Sequence, residues 1–268
     1  MAKYKKKRAR ELQHDRFRDT TMSFFDRLGD LMEGRGRTIL YGLGGVILAG
    51  LIVLLFVKWS NRKSDEARQA LGRAISIQKA PVVATPVPGT TEMTFPTEKE
   101  RAQKAIEEFE KVAAKYGDPY RSESQYFIAV NRLALDRQKG VSELAALGNS
   151  KVSEIGPLSK FALAQSYESD GKLQEAAQLY GDLAKMNSLT ISSDTANLRL
   201  AKVYEKLGKK KEAADLLFNI VDASRKAKGD DNLPLPQSEA AREAADELKK
   251  LDPERFAQLP PEAPFLAG

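Results

Sequence analysis

The sequence predicts an all-α protein, with one transmembrane helix followed by a solenoid of repeated helix pairs. Two observations carry this prediction. Residues 39–57 form a continuous run without a charged side chain. Further along, a set of small and apolar residues recurs after 37 positions. None of the 268 residues is a cysteine, so the predicted helical core must hold without disulfide bonds.

Residues 1–37 form a basic cytoplasmic tail with 11 Lys and Arg against 6 Asp and Glu. The net charge of the chain is +6, but residues 98–268 carry 26 basic and 28 acidic side chains. The excess positive charge therefore lies near the predicted membrane span, which favours contact with anionic lipid over nucleic-acid binding. A solvated arm and a ribosome or RNA contact are alternatives for the tail. Within it, Phe24, Leu28 and Leu31 at helical spacing predict a short amphipathic helix.

Residues 38–59 are predicted to cross a membrane as one helix. The uncharged run at 39–57 would span ~28 Å, close to the ~30 Å hydrocarbon core of a bilayer. Tyr41 and Trp59 fit the aromatic belts at the two interfaces, and Lys58 can reach the headgroups. A cleaved signal peptide is disfavoured, because its apolar region would be only ~7–15 residues long.

The orientation prediction comes from the distribution of Lys and Arg. The 11 basic residues of the tail favour a cytoplasmic N-terminus. The immediate flanks give no support, since residues 18–37 hold 4 basic side chains and residues 58–77 hold 5. We expect a single-pass protein of the bacterial inner membrane with its C-terminal domain in the periplasm.

The remaining chain divides by composition into four segments. The first continues out of the membrane as a helix with an apolar stripe that includes Leu71 and Ala74. The second contains Pro81, Pro86, Pro88 and Pro96, which prevent a continuous helix. The predicted segments are a post-membrane helix at 60–80, a proline-rich loop at 81–97, a repeat domain at 98–256 and a flexible C-terminal tail at 257–268.

The repeat domain is predicted from a register of matched residues. Leu163, Ala164, Tyr167, Gly171, Ala176 and Tyr180 recur 37 positions later as Leu200, Ala201, Tyr204, Gly208, Ala213 and Leu217. Ile128 and Ala129 stand 35 positions before the first pair, and Ala105 and Phe109 match second-helix positions of an earlier, incomplete unit. Alanines allow two helices to cross closely, and the glycines end the first helix of each pair. A period near 34 with this pattern is typical of tetratricopeptide repeats.

With these features the chain resembles the YfgM-type ancillary subunits of the Sec translocon. The resemblance rests on YRSESQYFIAV at 120–130, ANLRLAKVYEKLGKKKEAADLL at 196–217 and the helix that directly follows the anchor. It implies association with the translocon channel, with periplasmic chaperones or with exported chains. The proline-rich stretch and the long basic tail depart from the family pattern.

Residues that carry common enzyme chemistry are scarce. The one histidine, His14, lies in the basic tail, so His/Cys metal sites and His-dependent triads are excluded. No nucleotide-binding glycine loop and no Gly-x-Ser-x-Gly elbow is present. We therefore predict a non-enzymatic protein with no cofactor, no metal and no small-molecule substrate.

A protein-binding groove is predicted on the first helices of the pairs, as the resemblance to tetratricopeptide arrays implies. Three equivalent positions recur in three units. The candidate residues are Tyr126, Val130, Leu133, Phe161, Gln165, Glu168, Leu198, Lys202 and Glu205. Packing of Tyr126, Phe161 and Leu198 against the preceding repeat, or against the helix at 60–78, is the alternative interpretation.

The leading functional hypothesis is a membrane-anchored scaffold that assists Sec-dependent export and chaperone handover. A structural adaptor of another envelope assembly, such as outer-membrane biogenesis or division, is the alternative. A reversed topology would make the domain a cytoplasmic adaptor. A nucleic-acid or ribosome tether acting through the basic tail is the third hypothesis.

Overall fold

The computed structural model describes residues 62–84, 93–152, 154–230 and 232–262. The basic tail, its amphipathic helix and the membrane span predicted at 38–59 lie outside these residues, as do the centre of the proline-rich loop and the last six residues. The chain divides into two units, Met1–Glu66 and Ala67–Gly268, and the second contains the repeat domain. Within the described ranges no helix combines the length and apolar character needed to cross a membrane.

The described part of the chain is all-α. Two isolated bridges, between Val82 and Phe95 and between Lys228 and Pro234, are its only extended pairings. The helices in chain order are α1 (62–78), α2 (Glu98–Lys115), α3 (Tyr120–Leu135), α4 (Arg137–Leu147), α5 (Ile155–Ser169), α6 (Leu173–Ala184), α7 (Ser193–Lys206), α8 (Lys210–Lys226), α9 (Glu239–Leu251) and α10 (Pro253–Phe256).

Polar side chains fix where several helices begin. Thr97 caps α2, since its Oγ1 accepts a hydrogen bond from the Glu100 backbone N–H at 3.2 Å. Ser192 caps α7 and Ser238 caps α9 in the same way. Each cap satisfies a backbone donor that the first turn of a helix leaves without an intrahelical partner.

The predicted role of the two glycines in the register is confirmed. Gly171 and Gly208 have φ values of 72° and 76°, a left-handed conformation that glycine adopts without steric cost. In both turns the next lysine donates its backbone N–H to a tyrosine carbonyl five residues back, at 2.9 Å from Lys172 to Tyr167 and 2.9 Å from Lys209 to Tyr204. The 37-residue repeat of the sequence is therefore also a repeat of geometry.

The small residues of the register lie at helix crossings, as predicted. Ala164 and Ala201 are buried on the first helices, and Ala176 and Ala213 are buried on the second helices. Two repeats before Ala176, Ala105 and Phe109 of α2 are fully buried against Leu71 and Ala74 of α1 and Ile128 of α3. The pairs are thus α1–α2, α3–α4, α5–α6 and α7–α8, and each hydrophobic cluster joins helices of neighbouring pairs.

The segments YRSESQYFIAVNRLALDRQKG and VSELAALGNSK read as a helix pair, which predicts a boundary at Gly140, and this boundary is wrong. The sequence divides α3 from α4 at Gly140, whereas α3 ends at Leu135 and Asp136 caps α4 by accepting from the Lys139 backbone N–H at 3.0 Å. Gly140 instead lies inside α4, buried against α3. It occupies the crossing position of this pair, where Ala176 and Ala213 stand in the next two.

The C-terminal end is also divided differently from the prediction. Residues 239–256 form two helices, because Pro253 cannot donate a backbone hydrogen bond and Asp252 caps the short α10. Residues assigned to a flexible tail from 257 onward pack in part on the domain. Leu259 is buried in the last hydrophobic cluster, and the Pro260 carbonyl accepts from Arg225 Nη1 at 2.5 Å.

Candidate partner-binding face

The candidate residues lie on α3, α5 and α7, the first helices of three successive pairs. Contacts are also made between alternate helices on this side, from α3 to α5 and from α7 to α9, while no comparable contact joins α4 to α6 or α6 to α8. No comparable contact joins α5 to α7 either, and the ion pair between Glu168 and Lys206 links these two helices. We call the surface formed by α3, α5 and α7 on this side the first-helix face.

The first equivalent position is occupied by Tyr126, Phe161 and Leu198, and its exposure changes along the stack. Tyr126 and Phe161 are half-buried. The Phe161 ring meets the ring of Tyr180 edge-on, with centroids 5.7 Å apart. Leu198 is only 4% exposed, because it packs with Leu217 of α8 and helix α9. Leu198 is therefore a core residue, but the helices that follow it cover it, and not the preceding repeat that the packing interpretation names.

The two remaining candidates on α3 are apolar. Val130 and Leu133 are half-buried and pack, together with Tyr126, on a cluster that contains Leu144 of α4 and Leu163 of α5. Burial raises the pKa of the Tyr126 hydroxyl, so this group stays protonated in ordinary buffers. The α3 part of the face thus offers the edges of apolar side chains.

The candidates on α5 and α7 are polar, and two of them are fixed by other side chains. The Glu168 carboxylate accepts a hydrogen bond from the Tyr180 hydroxyl at 3.2 Å and pairs with Lys206 Nζ at 2.5 Å. Burial, followed by the Glu168 charge, raises the pKa of Tyr180. Lys202 pairs with Glu243 of α9 and lowers the pKa of that carboxyl. These links hold charges at defined places on the face.

Gln165 and Glu205 are exposed, and together with Glu168 and Lys202 they form the polar half of the face. The sequence reasoning missed Lys206 and Glu243, which fix Glu168 and Lys202. Lys206 follows directly after the candidate Glu205, so the register would have placed it beside the face. Nothing in the local sequence indicates Glu243, because it lies 41 residues from its partner.

A metal or catalytic centre is not indicated in the residues that the structure describes. No group of three or more His, Cys, Asp or Glu side chains there is placed to hold a metal ion. A small cavity beside α3 contains Arg132, which pairs with Glu110 at 3.5 Å and with Glu143 at 3.1 Å. Its lining residues are Gln103, Ile106, Glu110, Arg132, Leu135, Asp136 and Lys139. None of them belongs to the predicted groove.

Comparisons with known proteins find structural similarity only at low TM-scores. No family model matches the chain. No curated protein matches it either. A kinesin light chain protein of Podosopora anserina with nearly identical TPR-like repeats is similar in structure, with 20% identity and a TM-score of 0.47 over 69% of this chain and 85% of that chain. A variant of the same protein gives 20% identity and a TM-score of 0.48 over 69% and 84%. Because both scores lie below 0.5, the tetratricopeptide-like fold is assigned from the helix pairing and turn geometry described above.

Proposed function

We propose that the protein is a membrane-anchored, non-enzymatic scaffold that binds protein partners through its helical-repeat domain. The observation that carries this proposal is the first-helix face, on which side chains from successive repeats are brought into one row and several are fixed by contacts to other helices. Repeat stacks of this kind present an extended surface, which suits an extended polypeptide.

The chemistry of the face changes along its length. The α3 part is apolar through Tyr126 and Val130, whereas α5 and α7 contribute Gln165, Glu168 and Glu205. A polypeptide with an apolar segment next to a charged or polar segment would match this order. Because Glu168 is already held by Tyr180 and Lys206, binding would order fewer side chains and lose less conformational entropy.

The proposal includes an inner-membrane anchor at 38–59 and a periplasmic repeat domain. Support comes from the uncharged run at 39–57 and from the basic tail before it. In this arrangement the domain would meet polypeptides as they leave the Sec channel and pass them to chaperones. Protease treatment of spheroplasts tests the orientation. Digestion of the domain without lysis is expected, and protection until the inner membrane is broken would refute the periplasmic placement.

Site-specific photocrosslinking tests the partner-binding face. A photoreactive residue at Gln165 or Glu205 would sit at an exposed position of the face, and one at the exposed Gln178 of α6 serves as the matched control on a second helix. We expect adducts with translocon subunits, periplasmic chaperones or exported chains from positions 165 and 205, and none of these from 178. Equal adducts from all three positions would refute a specific face.

The identity of the adducts separates the alternative functions. Proteins of outer-membrane biogenesis or division caught at 165 and 205 would favour an adaptor of another envelope assembly over a role in export. Repeating the crosslinking after deletion of residues 1–19 tests the tail hypothesis. If capture is then lost, the tail and not the repeat domain holds the partner.

A further inference from the structure

The connections between helices lie at two opposite edges of the stack. Successive helices run in opposite directions, so every odd-numbered helix begins at the same edge. At this edge Arg121 Nε of α3 donates to the Ala113 carbonyl of α2 at 3.4 Å, and Ser193 Oγ of α7 donates to the Ala184 carbonyl of α6 at 2.7 Å. We call it the loop edge, made of the α2–α3, α4–α5, α6–α7 and α8–α9 connections. The opposite edge, which holds the α1–α2, α3–α4, α5–α6 and α7–α8 connections, is the turn edge.

The repeat domain also begins at the loop edge. Arg101, in the first turns of α2, donates to the carbonyl of Ala80, just beyond the end of α1, at 3.3 Å. The end of α1 therefore lies beside the start of α2, and the beginning of α1 lies at the other end of the pair. Ala67, with which α1 enters this unit, therefore lies toward the loop edge.

Exposed leucines are concentrated at the loop edge. Leu189 in the α6–α7 connection is 91% exposed, and Leu233 and Leu235 in the α8–α9 connection are 53% and 49% exposed. The other two large apolar side chains exposed in the described ranges, Val82 and Met93, lie in the α1–α2 connection at the turn edge, so all the strongly exposed leucines but not all the exposed apolar side chains are at the loop edge. Leucines left this exposed often mark an interaction surface when several occur on one side of a domain.

Hydrogen bonds between two loops hold Leu189 in an outward position. The Glu154 carboxylate, from the α4–α5 connection, accepts hydrogen bonds from Ser188 Oγ at 2.6 Å, from the Thr190 backbone N–H at 3.1 Å and from the Thr190 hydroxyl. Glu154 has a φ of 66°, a left-handed conformation that a glutamate rarely adopts. The residues on both sides of Leu189 are therefore fixed, and its side chain points into the surroundings.

Leu233 and Leu235 are held in an extended segment. Each precedes a proline, which disfavours the helical conformation for the preceding residue. The Leu235 N–H donates to the Ala227 carbonyl at 3.0 Å, and the Leu233 carbonyl accepts from the Gly229 N–H at 2.9 Å. Leucines two positions apart in an extended segment lie on the same side of it.

We propose that the loop edge rests on a phospholipid bilayer, with Leu189, Leu233 and Leu235 inserted at the headgroup level. This inference rests on the proposed anchor at 38–59, which ends two residues before α1 in the sequence, so any tether between a bilayer and the domain would be short. Such a short tether makes the contact effectively intramolecular. The exposed Lys185 and Lys228 lie near the leucines, but the exposed Asp182 and Asp230 stand close to them in the sequence, so the apolar side chains and not a net positive charge carry the proposed contact.

Fluorescence quenching in vesicles tests this contact. The chain has no cysteine, so one introduced cysteine carries one label. The environment-sensitive dye NBD is attached to Asn187→Cys, beside Leu189, or to Lys211→Cys at the turn edge as control, both exposed positions. The full-length protein is reconstituted in phosphatidylcholine–phosphatidylglycerol vesicles that contain phosphatidylcholine with a nitroxide near the headgroup. Quenching of the dye at 187 but not at 211 is expected.

A triple variant tests whether the three exposed leucines make the contact. Leu189→Ser, Leu233→Ser and Leu235→Ser, combined in the chain labelled at 187, should abolish the quenching while the circular dichroism spectrum stays unchanged. Three results would overturn the proposal: no quenching at 187, equal quenching at 211, or quenching that survives the triple substitution. A protein surface that covers these leucines would give the first of these results.

The same vesicles report on the anchor separately. Trp59 is the only tryptophan of the chain and lies at the end of the predicted span. Quenching of Trp59 without quenching at 187 would overturn the loop-edge contact and leave the anchor supported. Quenching at 187 without quenching of Trp59 would support the contact and overturn the anchor.

Discussion

Replacing Gly140 by alanine is expected to destabilise the protein, although alanine is the better helix former. A Cβ at this position would lie 2.7 Å from the Leu133 backbone nitrogen, 2.8 Å from Leu133 Cδ2 and 3.0 Å from the Ala129 carbonyl oxygen. Two of these atoms belong to the backbone of α3, so they cannot move aside as a flexible side chain would. Either α3 and α4 separate, or the contact stays compressed.

The magnitude follows from two opposing effects. Overpacking of a core contact costs about 1–3 kcal/mol, and the two backbone contacts favour the upper part of that range. The gain in helix propensity from glycine to alanine is about 1 kcal/mol. A net loss of about 1–2 kcal/mol in the free energy of unfolding is therefore expected from Gly140→Ala.

The matched control is Gly72→Ala in α1. Gly72 is exposed, and a Cβ built on it would meet no atom within 4 Å. The same substitution should therefore stabilise the protein by about 0.5–1 kcal/mol. Thermal unfolding of the full-length protein in detergent, followed by circular dichroism, should show midpoints shifted in opposite directions, by about 2–4 °C per kcal/mol. A Gly140→Ala midpoint at or above that of the parent would refute the close approach of α3 and α4.

Three further outcomes are expected. Gly208→Ala places a Cβ on a residue with φ of 76° and should lower the free energy of unfolding by about 1–2 kcal/mol. Gly117→Ala is the exposed control, and equal urea midpoints for the two variants would contradict this prediction. Asp136→Ala removes the acceptor for the Lys139 N–H and should cost about 1 kcal/mol, whereas Asp136→Asn should retain most of the cap; urea unfolding distinguishes the two. The hydroxyls of Ser188 and Thr190 lower the pKa of Glu154 from 4.5 to about 2, so the carboxylate stabilises the fold above pH 4.5 and that contribution is lost as the pH falls towards 2. Glu154→Gln should flatten the pH dependence of the urea midpoint in this window, and an unchanged dependence would argue against the contact.

The repeat register could be read from the sequence because each of its residues answers a local requirement. A left-handed turn residue requires glycine, and a close helix crossing requires a small side chain. Gly171, Gly208, Ala176 and Ala213 therefore stand where the same local geometry recurs. These requirements depend on neighbours within one helix pair, so a 37-residue spacing was sufficient to predict them.

Gly140 shows where such reading fails. Glycine serves both at helix ends and at close crossings, and the residue type alone does not separate the two uses. The α3–α4 connection is a single residue, Asp136, whereas the α5–α6 connection has three, and this shorter turn accompanies the closer approach at Gly140. The spacing could have identified Gly140 as a crossing residue, since it lies 35 positions after Ala105 and 36 before Ala176.

The candidate face was harder to predict because exposure depends on helices distant in sequence. Tyr126, Phe161 and Leu198 hold equivalent positions, yet only Leu198 is buried, since α9 closes over the last pair. Lys202 is fixed by Glu243 from that same covering helix. A repeat register predicts which residues are equivalent but not which of them the end of the stack covers.

The covering of Leu198 moves the accessible part of the face toward its middle. On α7 the position equivalent to Phe161 is Leu198, which is buried in the core. A partner could therefore reach this helix mainly through Lys202 and Glu205. On α5 the exposed Gln165 lies beside Glu168, whose carboxylate is fixed by Tyr180 and Lys206. A partner would therefore meet fixed charges from two repeats at this point, and contacts with both would require a polypeptide that crosses from α5 to α7. Specificity for such a chain would arise from the spacing of the repeats, which the buried alanines and the left-handed glycines determine.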